Sequence, residues 1–119
     1  MLNRVLTVLL EKESLDEVSM IDDMGRLLSS VTRAGRLPDA DAHVALLIDA
    51  LEAQQRMGLG DLHEVWVEGK DRTLIDIVTP HRILIAQGRE GRLGRRRHSV
   101  DHLRSALATT PSKEVTVDV

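Results

Sequence analysis

The chain has 119 residues, enough to bury one hydrophobic core and not two, and its 42% hydrophobic and 29% charged residues are globular in balance. One Trp and no Phe or Tyr mean an aliphatic core and argue against a surface that stacks nucleic-acid bases, while the absence of cysteine excludes disulfides, thiolate metal sites and cysteine nucleophiles. Charge is unevenly placed: residues 1–87 hold nine Lys/Arg against fifteen Asp/Glu, net −6, and residues 88–119 hold seven against four, net +3, so an acidic body carries a basic end and no general nucleic-acid partner is expected.

The N-terminal stretch "LNRVLTVLLEKE" places Leu2, Val5, Leu6 and Leu9 at i, i+3, i+4 and i+7, which predicts an amphipathic helix. Charges follow at once and no small-residue cleavage site appears, so it reads as a helix and not as a signal peptide. No run approaches the roughly 18 apolar residues of a membrane span, and a cytoplasmic location is the expectation.

In "EVSMIDDMGRLLSSV" two β-rich runs flank Asp23-Met24-Gly25, where Gly25 can take positive φ, and a hairpin is predicted. Asp22 and Asp23 could suggest an acid-base dyad or a metal site, but adjacent strand residues face opposite ways, and turn chemistry is the simpler reading.

After "TRAGRLPD", Asp39 or Asp41 caps a second helix through "DAHVALLIDALEAQQRMG", ended by Gly58 and Gly60. Its apolar arc has two sides. Val44, Leu47, Ile48 and Leu51 form a bulky stripe suited to a sheet, whereas Ala42, Leu46, Ala50, Ala53 and Met57 form a smaller one suited to a second helix. A sister molecule is the simplest supplier of that helix, so a homodimer is expected. His43, between the stripes, lacks a partner at i+4 and reads as structural rather than as a metal ligand.

Three more strands follow: Leu62 to Glu68, a turn at Gly69-Lys70-Asp71, Arg72 to Thr79, a break at Pro80, and Arg82 to Ala86. The last two are nearly continuous in Ile, Leu and Val and should be covered on both faces. In the first, His63, Val65 and Val67 alternate with Glu64, Trp66 and Glu68, the pattern of an edge strand open to pairing with a copy of itself.

"GREGRLGRRRHSV", residues 88–100, holds five arginines and leads into a third helix near Leu93, with Leu93, Val100, Leu103 and Leu107 on one side. Arg95 and Arg96 lie near the helix's positive end and are the candidate anion-binding residues, although no Walker-type lysine or Mg²⁺-holding serine follows the glycines, and a solvated basic face is the simpler reading. His98 and His102 have helical i, i+4 spacing but lack the accompanying glutamate, so neither a metal nor a cofactor is expected. Val115, Val117 and Val119 alternate in a tail, residues 109–119, expected to be mobile.

The element order α-β-β-α-β-β-β-α resembles the roadblock domains of dynein light chains and bacterial MglB-type proteins. The similarity covers about residues 2–108 and rests on "VLTVLLEKESLDEVSMIDDMGRLLSS", on "GLGDLHEVWVEG" after the second helix, and on "ILIAQGREGRLGRRRHSVDHL", where Leu-Gly opens the last helix. The resemblance implies an α+β fold with a five-stranded antiparallel sheet, one helix on one face and two on the other. It also implies a dimer in which third strands pair and second helices pack, placing Ala42, Leu46, Ala50, Ala53, Met57, His63, Val65 and Val67 at the interface. Family members regulate or scaffold small Ras-like GTPases; MglB-type dimers promote hydrolysis by reshaping the switch region without an arginine finger, so no catalytic residue carries over and the chain itself is not expected to be an enzyme. A passive dimeric adaptor, or a phosphate or nucleic-acid binder using the arginine cluster, are the alternatives.

Overall fold

A computed structural model describes residues 1–33, 40–58, 60–69, 71–89 and 91–112; within the second helix the side chains of residues 40–43 and 46 lie outside it, as do residues 113–119 of the expected tail. The chain begins with α1 (Leu2–Lys12), whose Leu2, Leu6 and Leu9 are completely buried along one stripe. Lys12 closes the last turn, where a cation complements the helix dipole.

A hairpin of β1 (Glu17–Ile21) and β2 (Leu27–Thr32) follows. Asp22 organises its turn: one carboxylate oxygen accepts the backbone N–H groups of Met24 (2.9 Å) and Arg26 (2.8 Å), the other accepts Arg26 Nε (2.9 Å), and Gly25 supplies the positive φ of 80°. Those N–H donors, Arg26 first, hold the Asp22 carboxyl below the usual carboxylate range. Asp23 is half-exposed and meets His81 Nδ1 at 3.4 Å.

After α2 (Ala40–Met57) come β3 (Glu64–Glu68), β4 (Arg72–Thr79) and β5 (Arg82–Gly88), then α3 (Leu93–Thr109). The strands form one antiparallel sheet in the order β2-β1-β5-β4-β3. β3 starts two residues later than its alternation predicts, yet Ile77 N still donates to His63 O at 2.8 Å, so pairing with β4 continues past the strand's end.

Each face of the sheet has its own core. On one side α1 and α3 pack Leu2, Leu6, Leu9, Leu93, Val100 and Leu107 against Val18, Met20, Leu74, Leu84 and Ala86. On the other, α2 contributes Leu47, with half-buried Val44, to a smaller group formed by Ile21, Ile75, Ile83 and Ile85. The two-sided covering explains why β4 and β5 read as nearly unbroken runs of Ile, Leu and Val.

The bulky stripe of α2 does not seat as a whole. Leu47 is buried, but Ile48 is 48% and Leu51 38% exposed. Ile48 lies about 100° around the helix from Leu47, too far to reach a flat sheet touched along one line. The two side chains instead border an apolar cleft of about 310 Å³ between the helix and the turn ends of the strands, completed by Leu62, Ile77, Pro80 and Ile83.

Candidate functional site

Two regions carry the side chains singled out in the sequence. The first joins α2 to β3. With Leu47 against the sheet, Ala50, Ala53 and Met57 fall on the side of the helix opposite Ile48 and Leu51, about 60–120° away from Leu47. Ala50 and Ala53 are half-buried, and Met57 is 69% exposed. Ala42 and Leu46 belong to the same helix, but their side chains lie outside the described residues. β3 is an edge of the sheet, paired on one side with β4 through Val65 opposite Ile75 and Val67 opposite Thr73. Val65 and Val67 are half-buried, Val65 packing into the α2 core, and His63 is exposed just before the strand. The structure thus presents a narrow small-residue stripe on α2 and a strand edge whose outer side pairs with no described strand.

The second region is the basic end. Arg95 is exposed as expected, and its Nε stands 3.7 Å from Oε1 of Glu13, whose side chain is almost completely buried. Arg89 and Arg33 are backed in the same way by Asp71 (3.7 Å) and Asp16 (3.5 Å). Each of these guanidinium groups already has a carboxylate behind it, the arrangement of a balanced, solvated face.

Arg96 departs from its expectation as an anion ligand. It is completely buried, with Nη1 donating to Arg72 O at 2.6 Å and Nη2 to Gly88 O at 3.1 Å, so the group pins the first turn of α3 to β4 and the end of β5. Burial lowers its pKa, with the Arg72 charge adding to the shift and Glu13 and Asp16 opposing it. The cause is geometric. Arg96 lies within the arc spanned by Leu93, Val100, Leu103 and Leu107, the stripe that α3 turns inward, and that signal was available in the spacing.

Sequence spacing gave no sign of a further ion-pair group. Arg104 on α3 grips buried Asp76 of β4 with both terminal nitrogens (2.9 and 3.0 Å) and also reaches Asp101 at 2.7 Å. Hydrogen bonds to Asp76 and then Asp101 raise the Arg104 pKa, and the bond from Arg104 holds the Asp101 carboxyl below its ordinary value. Arg104 and Asp76 stand 28 positions apart, so only the fold unites them, whereas Asp101 lies three residues from Arg104 on the same helix. His98 and His102 sit edge to face at 5.2 Å on the exposed side of α3. Among the described residues no cluster of three metal-ligating side chains occurs, and no helix is long and apolar enough to cross a membrane.

This order of elements, one open five-stranded antiparallel sheet with a helix on one face and two on the other, is the architecture of the roadblock domain. Neither a protein-family model nor a curated protein matches the sequence. The fold does resemble solved structures. One described as MglB with a tetrameric arrangement is 23% identical, over 90% of this chain and 85% of its own, with a TM-score of 0.76. MglB of Myxococcus xanthus is 21% identical, over 89% and 90%, with a TM-score of 0.73. A roadblock/LC7 domain from Streptomyces avermitilis is 20% identical, over 88% and 92%, at 0.69. The fold is therefore that of a roadblock domain, in its MglB-like form.

Proposed function

We propose that the chain acts as a homodimer that regulates or scaffolds a small Ras-like GTPase in the cytoplasm. The observation that carries this reading is the stripe of Ala50, Ala53 and exposed Met57 on α2, lying on the same face of the sheet as the half-buried valines of the edge strand β3. Small residues permit close helix approach, and an open strand edge is a template for pairing; a two-fold axis through both uses each contact twice. Association must offset roughly 4–15 kcal/mol of lost freedom, while fully burying one exposed Met gains about 1.5–3 kcal/mol. The helix stripe alone is therefore insufficient, and β3 pairing is part of the proposal.

The tetrameric arrangement named for one MglB of the same fold supports self-association as a property of such domains. The resemblance assigns the chain no chemical step: the GTPase hydrolyses its own nucleotide, and the dimer alters the shape of its switch region. Sedimentation equilibrium tests the dimer. Its function is tested with the Ras-like GTPase encoded nearest to this gene, loaded with GDP or with a non-hydrolysable GTP analogue. Selective binding of the GTP form with faster turnover is the expected result. Equal binding to both forms without acceleration would assign the chain to the passive adaptors, and no binding to either would overturn the reading.

A further inference from the structure

The cleft between α2 and the sheet lies on the side of α2 opposite the stripe assigned to the dimer, and the proposed function makes no use of it. Its walls are almost wholly apolar: Leu47, Ile48 and Leu51 from the helix, Ile83 and Ile77 from the sheet, and Leu62 before β3. Met24 at the hairpin tip and Pro80 in the β4–β5 turn form the rim, and both are exposed. A volume of about 310 Å³ is at the lower end of the range for small-molecule sites, which are typically concave, apolar and supplied with few polar groups.

The polar groups at the mouth decide which molecule fits. Asp22 lines the cleft, but its two carboxylate oxygens are engaged by Met24 N, Arg26 N and Arg26 Nε in its own turn. Asp23 lines it too and is half-exposed; its Oδ2 meets His81 at 3.4 Å, a partner that is itself exposed and carries charge only when protonated. The mouth is thus an acid over an apolar well. An anionic head would meet Asp23 as a like charge, whereas an ammonium would satisfy it.

We infer that this cleft binds a small amphiphile with an apolar body and a cationic amine head, the body between α2 and the sheet and the head at Asp23. A volume of about 310 Å³ holds a short apolar body, and the acid at the mouth favours a cationic head over a neutral or anionic one. The inference does not rest on the GTPase reading and uses none of the residues assigned to the dimer.

The test is a methyl-labelled sample of the full chain titrated with nonylamine, nonanol and nonanoate below their micelle concentrations. Saturable shifts of the Ile48, Leu51, Ile77 and Ile83 methyl groups are expected, with nonylamine binding about tenfold more tightly than nonanoate, a factor corresponding to about 1.4 kcal/mol. Asp23→Asn, at a half-exposed position outside the core, should bring nonylamine to the affinity of nonanol and leave nonanol unchanged. Leu62→Trp, which fills the well, should abolish binding of all three while the far-face methyls of Leu6 and Leu107 stay in place. Non-saturating shifts, equal affinity for the three head groups, or an Asp23→Asn protein that still prefers the amine would each overturn the inference.

Discussion

Replacing Arg96 with Met asks how much of this fold hangs on one buried cation. The methionine keeps most of the apolar stem that α3 packs, so the loss falls on the guanidinium. Two backbone carbonyls, Arg72 O and Gly88 O, would lose charged donors, each bond contributing about 1.5–3 kcal/mol. Glu13 and Asp16 would also lose the attraction of a buried cation, and removing one member of a buried charge group costs about 3–5 kcal/mol. These terms describe overlapping interactions and do not add, so the net expectation is about 3–5 kcal/mol, a large part of the roughly 5–15 kcal/mol that holds a domain together. Urea unfolding read by fluorescence can measure it, because the lone Trp66 lies beside the first turn of α3, where Arg96 acts; a Cβ added at Gly94 would stand 3.9 Å from its ring. Arg96→Lys should recover only part of the loss, since a point ammonium cannot fork to two carbonyls. A loss below about 1 kcal/mol for Met, or full recovery with Lys, would refute the pinning role.

Ala53→Glu and Ala50→Arg should convert the proposed dimer to monomer in sedimentation velocity, because each buries a charge without a partner at the helix contact; a wild-type chain already monomeric at high concentration would sink the dimer. Gly88→Ala should destabilise by about 1–3 kcal/mol in thermal melts, since a Cβ there would stand 3.2 Å from Arg96 Nη2, 3.3 Å from Leu15 Cα and 3.4 Å from Asp16 N, and the two backbone atoms cannot swing aside. Asp22 carries the pH dependence of the first hairpin. Its folded pKa lies below the ordinary 3.8, so its contribution is complete above that value and is lost as pH falls through the lower folded pKa. Amide exchange at Met24 and Arg26 should therefore accelerate below about pH 4 beyond its intrinsic trend; Asp22→Asn should remove that acceleration.

The local grammar of the chain was enough to place in order the eight elements found among the described residues. Leu2, Leu6 and Leu9 mark α1 because helical neighbours lie three and four residues apart, and Gly25 marks the hairpin because its φ of 80° strains any residue with a Cβ. The near-continuous apolar runs of β4 and β5 announced a sheet covered on both faces. Such signals are legible because each involves residues within a few positions of one another. Even the inward turn of Arg96 was written in the helical period of Leu93, Val100, Leu103 and Leu107, although three consecutive arginines disguised it as a uniform basic run.

Tertiary structure alone decided what depends on distant segments meeting. The grip of Arg104 on Asp76 exists because α3 crosses β4, and no spacing rule links positions 28 apart. Likewise, the bulky side of α2 was legible as apolar, but the division between Leu47 on the sheet and Ile48 and Leu51 over a cleft depends on the angle at which a round helix meets a flat sheet. Sequence periodicity records which side of an element avoids water. Only the assembled fold determines whether sheet or open cleft lies opposite it.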